Sequence, residues 1–336
     1  MQIKIICATI KEKHIGGNNM QYIGMDIGRG FVKIFTVINN KPKEFVFKSI
    51  VGDGRTEDID FDKYEAPICI GYESKKYFVG EFSEKESYSP IRNNNDSKVS
   101  RTAELLFVTG LLQAAVEDNV SIMLGVPNKS FRKSEMCKVI NKYQGKTFEI
   151  QDAINNTTKR ITVNNINIFR EADAALMGLR YKGLIDNEHN HVGLVSVGFN
   201  TSEFSYFERG GRFRDSLSST LEYGNKDALK IVRDRLMKKN LSKETFEIDF
   251  DTEPATEEMK ESAYELMSEK LNQYISDIWK NTDEMDIRIA GGTSMRLNFD
   301  NKYKMIENPQ MATAEGLYYI CSEQFGGEID GEEDND

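Results

Sequence analysis

"YIGMDIGRGFVKIFTV", Tyr22 to Val37, decides how the rest of the chain is read. An apolar strand carries one acid, Asp26, breaks at Gly28 and Gly30, and resumes as a second apolar strand with Lys33 near its start. An ionised carboxylate is costly to bury unless it is paired or holds a cation. Backbone N–H groups at a tight turn form an anion site, and glycine lets that backbone come close to phosphate oxygens. A carboxylate beside such a turn fits a hydrated Mg²⁺, with Lys33 reaching the outer phosphates as a point charge. The plainer alternative is a hairpin in which Asp26 forms the turn and Lys33 is solvated.

The same design returns later in the chain. "VGLVSVGFNTSEFSYF", Val192 to Phe207, is again strand, glycine turn and strand, with Ser196-Val197-Gly198 falling where Asp26-Ile27-Gly28 stood. A third glycine turn follows a strand in "EMDIRIAGGTSMRL", where a helix start is expected after Gly291 and Gly292. Two hairpins facing each other across a cleft would grip a triphosphate from both sides.

Between these landmarks, short β-rich runs ("EFVFKSIV", "APICIGY", "KKYFVGE") predict a sheet. "SKVSRTAELLFVTGLLQAAVEDN" has helical spacing and leads into "VSIMLGVP", which reads as a buried strand. "KTFEIQDA" and "KRITVNNINIF" form a strand pair, and "READAALMGLRYKG" is a helix whose small residues allow close packing. "GRFRDSLS" reads as a further strand. "EYGNKDALKIVRDRLMKKN" and "EEMKESAYELMSEKLNQYISDIWKN" read as helices, and a last helix is expected at about 310 to 324. The helix and strand alternation is that of an α/β protein.

At 336 residues, 39% hydrophobic and 29% charged, the chain has room for two cores, and two domains of similar size are expected. A net charge of −10 argues against direct wrapping of nucleic acid, which needs clustered Lys and Arg, so any DNA would be reached through a partner. The four cysteines (Cys7, Cys69, Cys137, Cys321) lack paired spacing, which points to a reduced, cytoplasmic setting without a zinc or disulfide framework. No apolar run approaches membrane-spanning length. "IGGNNM", Ile15 to Met20, is what a purine-rich ribosome-binding site and a start codon would encode, so residues 1–19 are expected to be a non-native leader or arm, with Met20 as the start. Residues 326–336 form an acidic tail. "EHNH", Glu188 to His191, offers two histidines, but a loop entering a strand explains them. No Walker loop, dinucleotide fingerprint or Gly-x-Ser-x-Gly turn occurs.

Taken in order, these motifs resemble one superfamily. "IGMDIGRGFVKI" is similar to the first phosphate hairpin, D-x-G-x(4)-K, of the actin and heat-shock chaperone ATPases; "LVSVGFNTSEFSYF" resembles the second hairpin, and "IRIAGGTSMRL" the adenosine motif. The length and the stretch "FREADAALMG" most resemble the bacterial actin-like plasmid-segregation ATPases of the ParM kind, in which a glutamate faces the γ-phosphate; Glu171 matches it. The resemblance implies a two-lobed actin-like α/β fold, each lobe a mixed sheet flanked by helices, with nucleotide in the cleft between them. Lobe I would span 20–180 and lobe II 181–325, with the last helix packing back on lobe I.

It further implies ATP or GTP with Mg²⁺, Asp26 holding the metal, and Lys33 neutralising the β and γ phosphates. Glu171 would orient or deprotonate the attacking water. Gly28, Arg29, Gly30, Ser196, Gly198, Asn200 and Thr201 would line the phosphates, and Gly291, Gly292 and Thr293 the adenosine side. Two departures stand out: Ser196 replaces the usual aspartate of the second hairpin, and Arg29 and Phe31 replace small polar residues in the first turn. The expected function is a polymerising ATPase whose filaments move plasmid DNA through a ParR-like DNA-binding adaptor at the plasmid centromere. A small-molecule kinase of the same superfamily and a non-hydrolysing nucleotide-binding scaffold are the alternatives.

Overall fold

A computed structural model describes residues 20–55, 59–95, 97–186 and 188–326. The readings of 1–19 as a leader and of the acidic tail as such lie outside these residues, apart from Gly326. The chain runs β1 (Met20–Ile27), β2 (Phe31–Ile38), β3 (Lys41–Lys48), β4 (Ile50–Asp53), β5 (Ile68–Tyr72), β6 (Lys75–Val79), α1 (Glu81–Glu86), β7 (Ile91–Arg92), α2 (Arg101–Ala114), β8 (Asn119–Val126), α3 (Lys133–Tyr143), β9 (Lys146–Asp152), β10 (Thr157–Arg170) and α4 (Glu171–Tyr181). It continues with β11 (His191–Val197), β12 (Ser202–Phe207), β13 (Ser219–Leu221), α5 (Asn225–Lys238), α6 (Thr245–Phe250), α7 (Pro254–Ile278), β14 (Met285–Ala290), β15 (Lys304–Met305) and α8 (Ala312–Gly326).

Among the described residues two sheets form, and they are unequal. The first holds ten strands in the order β3-β2-β1-β8-β10-β9-β5-β6-β4-β7, and the second five, β13-β12-β11-β14-β15. In both, an antiparallel hairpin is joined to a parallel strand: β1 pairs with β2 and runs parallel to β8, while β11 pairs with β12 and runs parallel to β14. Strand β8 is buried at every position after Asn119, as its unbroken apolar run requires of a central strand covered on both faces. One cover is α2, whose Ser100 hydroxyl accepts the Ala103 N–H at 3.2 Å and caps the helix.

The other cover is α8, which crosses back from the second half of the chain. At two points its backbone comes directly against β1 and α4: a Cβ on Gly24 would stand 2.1 Å from the Ala314 carbonyl, and one on Gly316 only 1.8 Å from the Ala174 carbonyl. Helix α4 sits between the two halves. Ala174 faces the cluster of Met123, Leu317, Ile320 and Cys321, whereas Ala175, Leu176 and Leu179 face Val192, Leu194 and Phe207 of the second sheet.

Two local expectations are corrected. The run "GRFRDSLS" makes a single bridge, Phe207 to Phe213, followed by a helical turn at Asp215–Leu217, and the strand itself is β13. Gly210 and Gly211 both take left-handed backbone, so the chain folds back at once and leaves too little length to pair. After Gly291 the chain makes a five-residue 3₁₀ turn, Gly292–Arg296, in place of an α-helix; the Ser294 hydroxyl donates to the Gly291 carbonyl at 2.6 Å and competes with helix propagation.

Candidate functional site

The two glycine hairpins meet across a cleft of about 320 Å³ lined by both halves of the chain. Each turn is closed by one bond: the Gly28 N–H donates to the Phe31 carbonyl at 3.1 Å, and the Gly198 N–H to the Thr201 carbonyl at 2.9 Å. The tips touch, for a Cβ on Gly30 would stand 2.6 Å from the Cβ of Phe199. Further contacts join the halves around the cleft. Arg92 stacks on the Phe199 ring at 4.6 Å, Lys48 on the Phe250 ring at 3.6 Å, and Arg29 lies 3.8 Å from Glu222.

Asp26 is the acid that opened the question, and it is buried at 4% exposure. Because β1 and β2 are in antiparallel register with Asp26 opposite Lys33, the lysine folds across the pair and its Nζ donates to Asp26 Oδ2 at 2.8 Å. Oδ1 is buried with no hydrogen-bond partner. A buried carboxylate oxygen without a donor is an unmet demand for positive charge, and here it borders a cleft. Burial opposes the charge on Lys33, but Asp26, with help from Glu171 and Glu203, outweighs it and holds the ammonium above its usual range. No group of three or more potential metal-ligating side chains occurs among the described residues. A lone carboxylate with an open oxygen suits Mg²⁺, which keeps water and takes substrate phosphates as its remaining ligands.

Glu171 begins α4 and turns into the cleft, where its side chain is 21% exposed. Gly125 on β8 makes room for it: a Cβ there would stand 3.0 Å from Glu171 Cγ. Burial, then the nearby Asp26 and Glu203 carboxylates, push its carboxyl up to about 8, while Lys98 and Lys33 pull it down. An acid poised near neutrality in a cleft is suited to accept or donate a proton.

Of the residues singled out from sequence, Asp26, Gly28, Arg29, Gly30, Lys33, Glu171, Ser196, Gly198, Asn200, Thr201, Gly292 and Thr293 all line this one cleft. Gly291 does not. It supports the turn from behind, at φ +90°, where a Cβ would stand 2.3 Å from the Val197 carbonyl. Thr293 ties the third glycine turn to the second hairpin through a 3.0 Å bond from its hydroxyl to the Gly198 carbonyl. Asn200 Oδ1 is a second buried oxygen without a partner.

Several lining residues escaped the sequence reading. Lys98 is buried, and its Nζ donates to the Ile27 carbonyl at 2.8 Å. Glu203 lies directly across the hairpin from Ser196, so the second hairpin does carry an acid, on the opposite strand from the expected aspartate. That signal was present in sequence as the register of the repeat. Asn225, Asp249, Met295, Arg296 and Gln310 complete the far end. The His189 ring pairs with exposed Asp186 at 2.9 Å, which accounts for one of the two loop histidines.

Residues 24–172 match the family model described as the N-terminal domain of actin-like proteins. No curated protein sequence matches the chain. Among solved structures, the chain is similar to an archaeal actin homolog in complex with ADP, at 15% identity with a TM-score of 0.73, over 90% of this chain and 100% of that one. It is also similar to the subunit of a 15-stranded ParM filament from Clostridium botulinum (20% identity, TM-score 0.74, 91% of this chain, 100% of that one) and to Bacillus thuringiensis ParM with ATP (13% identity, TM-score 0.68, 91% and 99%). The fold is therefore actin-like, as the motif order implied, and residues 24–172 are similar to the N-terminal domain of actin-like proteins. No described helix is long and apolar enough to cross a membrane.

Proposed function

We propose that this actin-like chain binds ATP and Mg²⁺ in its cleft, hydrolyses the nucleotide, and assembles with copies of itself into filaments that carry plasmid DNA through a DNA-binding adaptor. The observation that carries the proposal is the convergence of two glycine hairpins, the Asp26–Lys33 pair and Glu171 on one cleft. The ADP and ATP in the related structures, and the filament built by one of them, support the same reading.

In this reading the backbone N–H groups of both turns and Lys33 hold the phosphate oxygens, and Asp26 Oδ1 is the protein atom that would hold the metal with water and phosphate. Bound Mg²⁺ supplies charge neutralisation on the phosphates. Phosphoryl transfer to water asks little covalent chemistry of a protein and much positioning. Glu171 accepts or orients the proton of the attacking water from the floor of the cleft. The lobe boundaries proposed here are 20–180 and 181–325, with α8 returning to the first.

A second reading, a nucleotide-binding scaffold that does not hydrolyse, is favoured by Ser196, which supplies no charge where the resembling family places an aspartate. Light scattering and pelleting after addition of ATP and Mg²⁺, with phosphate release followed in parallel, test both. Assembly with phosphate release is expected. Assembly without release would favour the scaffold, and nucleotide binding without assembly would remove the filament from the proposal.

A further inference from the structure

We infer that Lys98 is the positioning residue of Glu171, fixing the acid's carboxylate at the end of β1 from the loop that enters α2. This rests on the reading that Glu171 serves the attacking water.

Lys98 is 5% exposed, and its Nζ donates to the Ile27 carbonyl at 2.8 Å and stands 3.8 Å from Glu171 Oε1. An ammonium taken out of water is costly, so packing alone would be met better by an apolar side chain. Its backbone is held from the core: Tyr143 on α3, fully buried and stacked on Phe107 at 4.3 Å, donates its hydroxyl to the Lys98 carbonyl at 2.7 Å. Two residues on, the Ser100 cap fixes the start of α2. The lysine thus reaches the cleft from an anchored base.

Of the other carboxylates lining the cleft, Asp26 on β1 and Glu203 on β12 oppose ionisation of Glu171, and Asp249 stands at the far end. Lys33 on β2 is engaged with Asp26 at 2.8 Å. Lys98 stands at ion-pair distance from Glu171 while its Nζ is held at the Ile27 carbonyl, one residue beyond Asp26. At 3.8 Å the contact is longer than a hydrogen bond, so it orients by charge and leaves the carboxylate oxygens open to water. Lys98 also lowers the proton affinity that burial confers on Glu171.

The test compares the parent, Lys98→Met, Glu171→Gln and the double variant by steady-state ATP hydrolysis with Mg²⁺, and ATP affinity by calorimetry. A misplaced reacting group can cost roughly 10²-fold, so Lys98→Met is expected to lower kcat by about that factor while ATP affinity stays at the parent value. Residues acting as one unit are not additive, so the double variant should be no slower than Glu171→Gln. Should Lys98→Met fail to fold, Lys98→Gln keeps a donor toward Ile27 and loses the charge, and the same loss is expected of it. A fall in ATP affinity alongside kcat would make Lys98 a direct phosphate ligand and overturn the inference. So would multiplied losses in the double variant, or a Lys98→Met enzyme at the parent rate beside a slow Glu171→Gln. A Glu171→Gln enzyme at the parent rate would instead remove Glu171 from the reaction, and the inference would fall with it.

Discussion

The hairpins β1–β2 and β11–β12 share a frame and differ in charge. Each closes its turn with a glycine N–H bonded three residues ahead, and each runs parallel to a central strand on its far side. At the matching cross-strand position, the first pairs Asp26 with Lys33 and the second pairs Ser196 with Glu203. The first hairpin therefore carries its own counter-charge and leaves one carboxylate oxygen open, whereas the second presents a hydroxyl and an acid. The backbone that cradles anions is set by turn geometry, which many side chains tolerate. Where a carboxylate stands relative to the turn is set by side chains, and there the two hairpins differ.

The comparison breaks most severely if the first hairpin loses its acid. Asp26→Ala is expected to abolish Mg²⁺-dependent ATP binding by calorimetry, and with it nucleotide-driven assembly. Stripping one partner from a buried ion pair typically costs about 3–5 kcal/mol, and the partial exposure of Lys33 places the loss at the lower end of that range in urea unfolding. Unchanged ATP affinity would show that the open oxygen holds no metal. Next in size is Glu171→Ala, which touches neither turn. Loss of a general base costs about 10²- to 10⁴-fold in rate, so phosphate release should slow while ATP affinity holds, and filaments should form and then persist.

A smaller effect is expected where the two frames touch. Gly30→Ala drives a methyl into Phe199, and overpacking of this kind costs roughly 1–3 kcal/mol. The expected result is weaker ATP binding with little loss of thermal stability, because the cleft opens to relieve the contact; an equal fall in both would place the strain inside the fold. The mildest change is Glu203→Gln. With Glu171 pushed up to about 8, kcat/KM should rise with pH until that acid is ionised, then level off. Glu203 raises that value, so its neutralisation should shift the rise to lower pH, by less than the whole displacement because burial and Asp26 come first. An unmoved profile would show that Glu203 does not reach Glu171.

Much of this was legible in sequence because the frame is local. A glycine turn between apolar strands can be read from a dozen residues, and the repeat of that pattern placed both hairpins and the third turn correctly. What failed was either a side-chain bond competing with a helix, as at Ser294, or a turn tightened by two left-handed glycines at 210 and 211. Lys98 was invisible for another reason. Its charge meets Glu171 only because β8 and β10 bring the start of α4 beside the loop entering α2, and no local pattern records that pairing. Gly125 was missed likewise, since its role is the space it leaves for another residue's side chain. Gly291, expected at the adenosine side from its place in the glycine motif, lies behind the cleft lining, and its left-handed backbone serves the turn.

The seam between α4 and α8 has a mechanical meaning. Where helices meet through a layer of long side chains, they can slip by exchanging rotamers; at the Gly316–Ala174 crossing the backbones are in contact, with Gly178 beside them, so at that point there is no such layer to shear. Glu171 begins the helix held at this crossing, whereas the Arg92–Phe199 and Lys48–Phe250 stacks join the two halves of the chain through side chains. The acid is thus tied to a backbone contact, whereas the outer contacts are of a kind that rotamer changes alone can release.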